Sequence, residues 1–210
     1  MYRMQLKDIK TLITSGTILV AVALYMIFGN PPPEKSEGNG DAQSNAIVSI
    51  EEAQQITGNT AIPVDYASAN DGDTISVTIN GEKERVRLLM IDTPEMNYDK
   101  GKPMPFAEEA KEFTINLLEN ADTVELLFDK GPETDHYDRL LAYIYVDGVM
   151  LQESLLKEGY AAVRYINKPN NSLEQQFRDI QAVAEAAKVN IWSYEDYFQK
   201  DGFHAEVINK

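Results

Sequence analysis

A chain of 210 residues has room for one domain with appendages. Its formal charge of -15 argues against a strongly basic nucleic-acid wrapper, and the absence of cysteine excludes disulfides and thiolate metal sites. All of that net charge falls on residues 48–210, because the acids and bases of residues 1–47 balance.

Arg3, Lys7 and Lys10 precede residues 11–28 (TLITSGTILVAVALYMIF), an apolar run without charge. Such a run is a secretory signal or a membrane-spanning helix near the lower length limit. No small-x-small site directly follows it, and Ser44-Asn45-Ala46 lies well downstream, so an uncleaved anchor is the preferred reading. Basic residues before the span put residues 1–10 in the cytoplasm and the domain outside the cell; cleavage would make the protein secreted. Residues 29–47, rich in Pro, Gly, Ser and Asn, read as a flexible linker. The folded domain is expected over residues 48–195, and residues 196–210 as a C-terminal tail.

Ser49-Ile50-Glu51-Glu52 has capping-box spacing and predicts a short helix through Ile56. Residues 61–69 read as a strand leading into the central stretch, residues 71–95 (DGDTISVTINGEKERVRLLMIDTPE). There Ile75, Val77 and Ile79 alternate with Thr74, Ser76 and Thr78, the period of a half-buried strand. Asn80-Gly81 is a strong hairpin signal, since both positions of a type I′ turn need positive φ. A return strand over residues 85–91 ends in Asp92-Thr93-Pro94-Glu95. Asp73 lies nearer the turn than Asp92 does, so a bulge or shear has to absorb the difference before both meet at one rim. Acids near a turn are ordinarily solvated loop residues. Arg87 argues otherwise, because it interrupts Val86, Leu88, Leu89, Met90 and Ile91, where an unpartnered charge is costly.

Residues 96–105 read as a mobile loop, and residues 106–120 place Phe106, Ala110, Phe113, Leu117 and Leu118 at helical spacing. Strands follow at residues 124–128 and 140–146, with a second hairpin turn at Asp147-Gly148. Arg139 stands directly before the second of these strands, at a loop rim. A short helix over residues 151–158 closes at Gly159. A longer one over residues 172–189 opens with Ser172 and Gln175 at capping spacing and turns Leu173, Phe177, Ile180, Val183 and Ala184 inward. Trp192 is expected to pack the tail. The fold class is α+β, mainly β: an OB-like five-stranded Greek-key barrel with about three helices, preceded by the transmembrane helix and linker.

Taken together, Asp71-Gly72-Asp73-Thr74, Arg87 through Glu95, Asp135-His136-Tyr137-Asp138-Arg139, Lys168-Pro169-Asn170-Asn171 and Asn190-Ile191-Trp192-Ser193 resemble the staphylococcal (thermo)nuclease family. The likeness is colinear from about Ala61 to Ser193. It implies a calcium-dependent endonuclease that hydrolyses DNA and RNA to 3′-phosphate ends. By motif it makes Asp73 and Asp92 calcium carboxylates, with Thr93 adding its backbone carbonyl. Glu95 becomes the general base, or the residue orienting the attacking water; Arg87 and Arg139 bind the scissile phosphate; Tyr137, Tyr165 and Lys168 bind the nucleotide. No protein partner is inferred, and a monomer is expected.

The chemistry asks for the same residue types. An oxygen-only set suits a hard cation such as calcium or magnesium, and a guanidinium matches two phosphate oxygens at once. Departures from the family pattern bear on affinity more than on the reaction. Asp138 replaces a glycine beside Arg139, Asn167 stands where a second pocket tyrosine is frequent, and His136 where a lysine is common. Two rival readings are a non-catalytic nucleic-acid-binding OB-fold module and a surface scaffold with a vestigial site. The intact set Asp73, Arg87, Asp92, Glu95 and Arg139 argues against both.

Overall fold

The computed structural model describes residues 48–97 and 101–208. The expected anchor and linker, residues 1–47, lie outside the described residues. Among those described, no helix is long and apolar enough to cross a membrane.

Order along the chain begins with α1 (Ile50–Thr57), capped as the sequence predicts: Ser49 Oγ accepts from the Glu52 N–H at 3.2 Å. Then come β1 (Ile62–Pro63), β2 (Asp65–Ala69), β3 (Thr74–Ile79), β4 (Glu82–Leu88), β5 (Ile91–Asp92) and α2 (Ala107–Glu119). After β6 (Val124–Phe128), β7 (Leu140–Val146) and β8 (Val149–Met150) follow α3 (Leu151–Lys157), β9 (Ala162–Val163) and α4 (Glu174–Ala187). The C-terminal part holds a 3-10 turn (Asn190–Ser193), β10 (Phe198–Gln199), β11 (Gly202–Phe203) and a second 3-10 turn (Ala205–Val207). The class is therefore α+β, with four α-helices among the described residues rather than about three.

Strand order in the main sheet is β1-β6-β7-β4-β3-β2, mixed because β4 and β7 run parallel. β1 and β2 stand at opposite ends of that order, yet only Val64 separates them in sequence. One chain segment thus supplies both edges of this 7-stranded sheet, to which β8 adds by pairing with β7, and the sheet closes on itself. Ile75, Val77, Val86, Leu88, Leu126 and Ile144 fill the core, against Leu151, Leu155 and Phe177 of the helices.

Both hairpin turns form as read: φ is 53° at Asn80 and 87° at Gly81, and 50° and 79° at Asp147 and Gly148. Three details differ from the expectation. β3 is buried on both faces over Thr74, Ile75, Ser76 and Val77, not on one. The long helix starts at Glu174, because Ser172 spends its N–H and hydroxyl on the buried Asp129 carboxylate at 2.9 and 2.5 Å. Val183, read as inward, is 70% exposed.

Thr114 on α2 fixes the loop before β3. Its buried hydroxyl donates to the Gly72 carbonyl at 2.8 Å. Thr114→Val keeps the shape but strands that carbonyl. It is expected to cost about 1–3 kcal/mol, read as a lower urea midpoint at unchanged slope.

Candidate active site

The site grows from a break in the return strand. β3 and β4 pair from Ile79 opposite Glu82 up to Thr74 opposite Arg87, and the Leu88 N–H still reaches the Asp73 carbonyl at 2.9 Å. Pairing then ends, and Met90 takes φ 59°. The chain turns at Leu89 and Met90, and β5 leaves the barrel to pair with β9, with Asp92 opposite Ala162. This turn is the shear that the unequal spacing of Asp73 and Asp92 requires. It delivers Asp92 beside Asp73, both nearly buried.

Strand alternation decides where the arginines go. Val86 and Leu88 point into the core, so Arg87 points out toward the rim. Parallel pairing of β4 with β7 sets Arg87 opposite Leu141, and Arg139, two positions earlier on that chain, shares the face. The Arg87 guanidinium Nη2 lies 3.2 Å from Asp73 Oδ2 and 3.3 Å from Asp92 Oδ1, while Nη1 donates to the Leu88 carbonyl. The backbone N–H of Thr93 donates to Asp73 Oδ2 at 2.8 Å. Arg139 is held by Asp135, four residues earlier, through Nε at 2.8 Å and Nη2 at 2.7 Å.

A cavity of about 360 Å³ opens over this rim, lined among others by Arg87, Asp92, Glu95, Arg139, Tyr137 and Tyr165. The guanidinium carbons of Arg87 and Arg139 lie 5.5 Å from the ring centres of Tyr165 and Tyr137 respectively. Lys168, expected on the substrate, is not part of this lining; it is exposed, and its charge acts on Glu174. Asn170 takes the inward place of that motif. It accepts from the Gly131 N–H at 2.7 Å and donates to the Pro132 carbonyl at 2.8 Å, so it holds the loop that carries Arg139.

Sequence reasoning missed three contributors. Arg164 follows β9 and grips the other oxygen of Asp92, Nη1 to Oδ2 at 2.7 Å. Its signal was available, since it too is a charge beside an apolar strand. Asp135 is the partner that aims Arg139. Asp71, quoted only as part of a motif, is the third. Burial, then Asp73 and Glu95, push its carboxyl up to about 7.

The other acids respond in the same sense. Burial, then the charge of Asp73, push Asp92 up to about 6 against the pull of Arg164 and Arg87. Partial desolvation and Asp73 raise Glu95, with Arg87, Arg139 and Arg164 opposing. Asp135 behaves oppositely: burial disfavours its charge, but hydrogen bonds from Arg139 and Tyr137 hold its carboxyl below the usual range. Four acids, Asp71, Asp73, Asp92 and Glu95, meet three arginines here, of which Arg139 is already paired with Asp135, so negative charge is in excess. Asp71 Oδ1 and Thr93 Oγ1 are buried there with no hydrogen-bond partner. No three His, Cys, Asp or Glu side chains among the described residues group tightly enough to hold a metal ion by themselves. What is present fits a hard cation bound by Asp73, Asp92 and backbone or water oxygen: oxygen donors, excess negative charge and unsatisfied buried oxygen.

Asp138, in the place of the family's glycine, has φ 58°. Asp tolerates the left-handed region better than most residues, though at a cost. Asp138→Gly is expected to raise thermal stability by about 1 kcal/mol. Unfolding scans of the two proteins check it.

A profile described as "Staphylococcal nuclease homologue" matches residues 85–194. Endonuclease YncB of Bacillus subtilis (strain 168) is 36% identical over 209 residues, covering 94% of this chain and 99% of that protein. The SPbeta prophage-derived endonuclease YokF of the same organism is 43% identical over 149 residues, which is 71% of this chain but 50% of YokF. The thermonuclease of Staphylococcus hyicus is 31% identical over 187 residues, covering 86% and 98%. With the profile matching more than half of the chain, Arg87, Asp92, Glu95 and Arg139 included, and a relative matched nearly end to end, the chain belongs to the staphylococcal nuclease family.

Proposed function

We propose that this chain, a nuclease by family, is a calcium-dependent endonuclease that hydrolyses DNA and RNA to 3′-phosphate ends outside the cell. The observation that carries this reading is the meeting of Asp73, Arg87 and Asp92 at the cavity that Glu95 and Arg139 also line. Asp73, Asp92 and the Thr93 carbonyl would hold the calcium. When bound, calcium polarises a phosphoryl oxygen and offsets the charge that grows on the phosphorane.

The protein's own groups do the rest. Glu95, with its carboxyl raised above the usual range, takes a proton from the attacking water. Arg87 and Arg139 leave their carboxylate partners for the equatorial phosphate oxygens, where two guanidinium forks match the developing charge. The new P–O bond forms in line as the bond to the 5′ oxygen breaks. The 5′ oxygen departs as an alcohol after taking a proton from solvent, Glu95 returns its own proton to solvent, and the phosphate stays on the 3′ side. Tyr137 and Tyr165, both half-exposed at the cavity, offer rings on which bases stack without regard to sequence. With -15 overall and excess acid at the rim, contact with the nucleic-acid backbone rests on Arg87, Arg139 and the bound cation rather than on the charge of the domain. The basic-then-apolar residues 1–28 support an outward-facing, membrane-held protein.

The test is cleavage of denatured DNA with calcium and with chelator, followed by end analysis of the fragments. Cutting that needs calcium and leaves 3′-phosphates is the expected result. DNA bound but uncut in calcium returns the binding-module reading.

A further inference from the structure

Residues 196–210, expected as a tail beyond the domain, fold back onto it as far as they are described. Tyr197 is fully buried and donates its hydroxyl to the Pro105 carbonyl, and its own carbonyl accepts from the His204 N–H at 2.7 Å. Rings of Phe106, Phe198 and Phe203 pack around it or each other with centres 5.0 to 5.9 Å apart. The β10–β11 hairpin is thereby anchored, and its turn presents Asp201 to the rim: the Asp201 carbonyl accepts from Arg164 Nη2, and the charge of its carboxylate favours the guanidinium.

Arg164 is thus held from both ends. Nη1 binds Asp92 Oδ2 at 2.7 Å, Nη2 binds the hairpin, and the guanidinium lies 4.7 Å from the Tyr165 ring centre. Gly202 makes the fit possible. It has φ 130°, and a Cβ there would stand 2.6 Å from Nη1 and 3.1 Å from Cζ. With Oδ2 taken by Arg164, Asp92 turns Oδ1 toward Asp73 and Arg87, at 3.3 Å from the latter.

We propose that Arg164, locked by the C-terminal hairpin, is a positioning residue that sets the rotation of the Asp92 carboxylate toward the cation. The same clamp sets the ring of Tyr165. This rests on the nuclease reading above. It makes the C-terminal segment part of the working site through its hold on Arg164.

Two effects of Arg164 on calcium have opposite signs, and that makes the inference testable. Its positive charge beside a ligand repels the cation, so removing charge alone tightens calcium binding. Loss of a partner that orients a ligand typically weakens metal binding or activity about 10–100-fold. Calcium affinity should be measured by titration calorimetry on the full chain, without substrate, for wild type, Arg164→Gln, Arg164→Lys and Gly202→Ala. Cleavage rates should be taken in parallel, and thermal unfolding should establish that each variant is folded.

Arg164→Gln is expected to weaken calcium binding about tenfold or more. Arg164→Lys should fail to restore it, since an ammonium cannot bridge Asp92 and the hairpin as a fork does. Gly202→Ala, which leaves every charge in place, should weaken binding in the same direction. Combined with Arg164→Gln it should add nothing, because both act through one contact. Binding equal to or tighter than wild type in Arg164→Gln, or full additivity in the double variant, overturns the inference while wild type still cuts. A wild type that neither binds calcium nor cleaves overturns the nuclease reading and this inference with it.

Discussion

Glu95→Gln is expected to lower kcat for DNA cleavage by about 10²–10⁴-fold, the usual worth of a positioned general base. The amide keeps the size and the polar oxygen but cannot accept the water's proton, so the loss belongs to the transition state and KM should change little. Folding should survive, because the Glu95 side chain is exposed and its backbone, not its carboxylate, anchors the loop: its carbonyl accepts from the Met104 N–H at 2.9 Å. The pH profile provides a second check. As the proposed base Glu95 works only when ionised, and partial desolvation and Asp73 raise its carboxyl. The rate should therefore fall on acidification. Protonation of Asp92, which lies at about 6, weakens calcium binding and adds a limb of its own, so the profiles are compared at saturating calcium, where the glutamine variant should lose the part that belongs to Glu95. An unchanged kcat assigns the proton to another group.

The sequence was most legible where one local rule dominates. Asn80-Gly81 and Asp147-Gly148 dictate their turns because few other pairs accept two positive φ values. Ser49 caps α1 because its oxygen meets an otherwise unpaired N–H. Arg87 betrayed the site because a charge in an apolar strand needs partners, and it has them in Asp73 and Asp92. Legibility fell where tertiary contacts outweigh local preference. Met90 turns at φ 59° without glycine, because pairing of β5 with β9 stabilises what the residue itself disfavours. Ser172 looks like a cap but is claimed by Asp129, far away in sequence. Lys168 sits in a family motif and is exposed without lining the cavity, while Asn167 and Asn170 on either side of it do. Arg164 acts on Asp92 across a pairing of 2-residue strands that no periodicity announces.

Arg87→Ala should damage rate and stability together, and pH separates the causes. Removing a charge clamp on the developing phosphorane costs on the order of 10²–10³ in kcat. Its effect on folding follows from burial. Arg87, Asp73 and Asp92 side chains are only 12%, 7% and 6% exposed, so removing the arginine leaves two nearly buried carboxylates short of a counter-charge. About 3 kcal/mol near neutral pH is the expected loss, the lower end for a broken buried pair because Arg164 still holds Asp92. A fraction of this, about 1 kcal/mol, reflects the Leu88 carbonyl losing its donor and does not depend on pH. The remainder does. In the wild type Asp92 lies at about 6, above its ordinary 3.8, so the folded state holds that proton more tightly than the unfolded state. Its contribution favours folding below the ordinary value and is lost as pH rises through about 6. Arg87 is among the groups that lower Asp92, so its removal pushes the carboxyl higher still and deepens the loss. The stability gap between variant and wild type should then be small near about pH 4 and should widen toward neutrality. Unfolding midpoints measured across that range decide it. A gap that is the same at both ends would mean that Arg87 supports the fold through packing and the Leu88 carbonyl rather than through the two acids. Calcium gives the converse check, since a cation between Asp73 and Asp92 supplies the missing charge. It should recover much of the variant's stability at neutral pH and little near about pH 4, while the lost rate stays lost, because no ion at the carboxylates can replace the guanidinium on the phosphate.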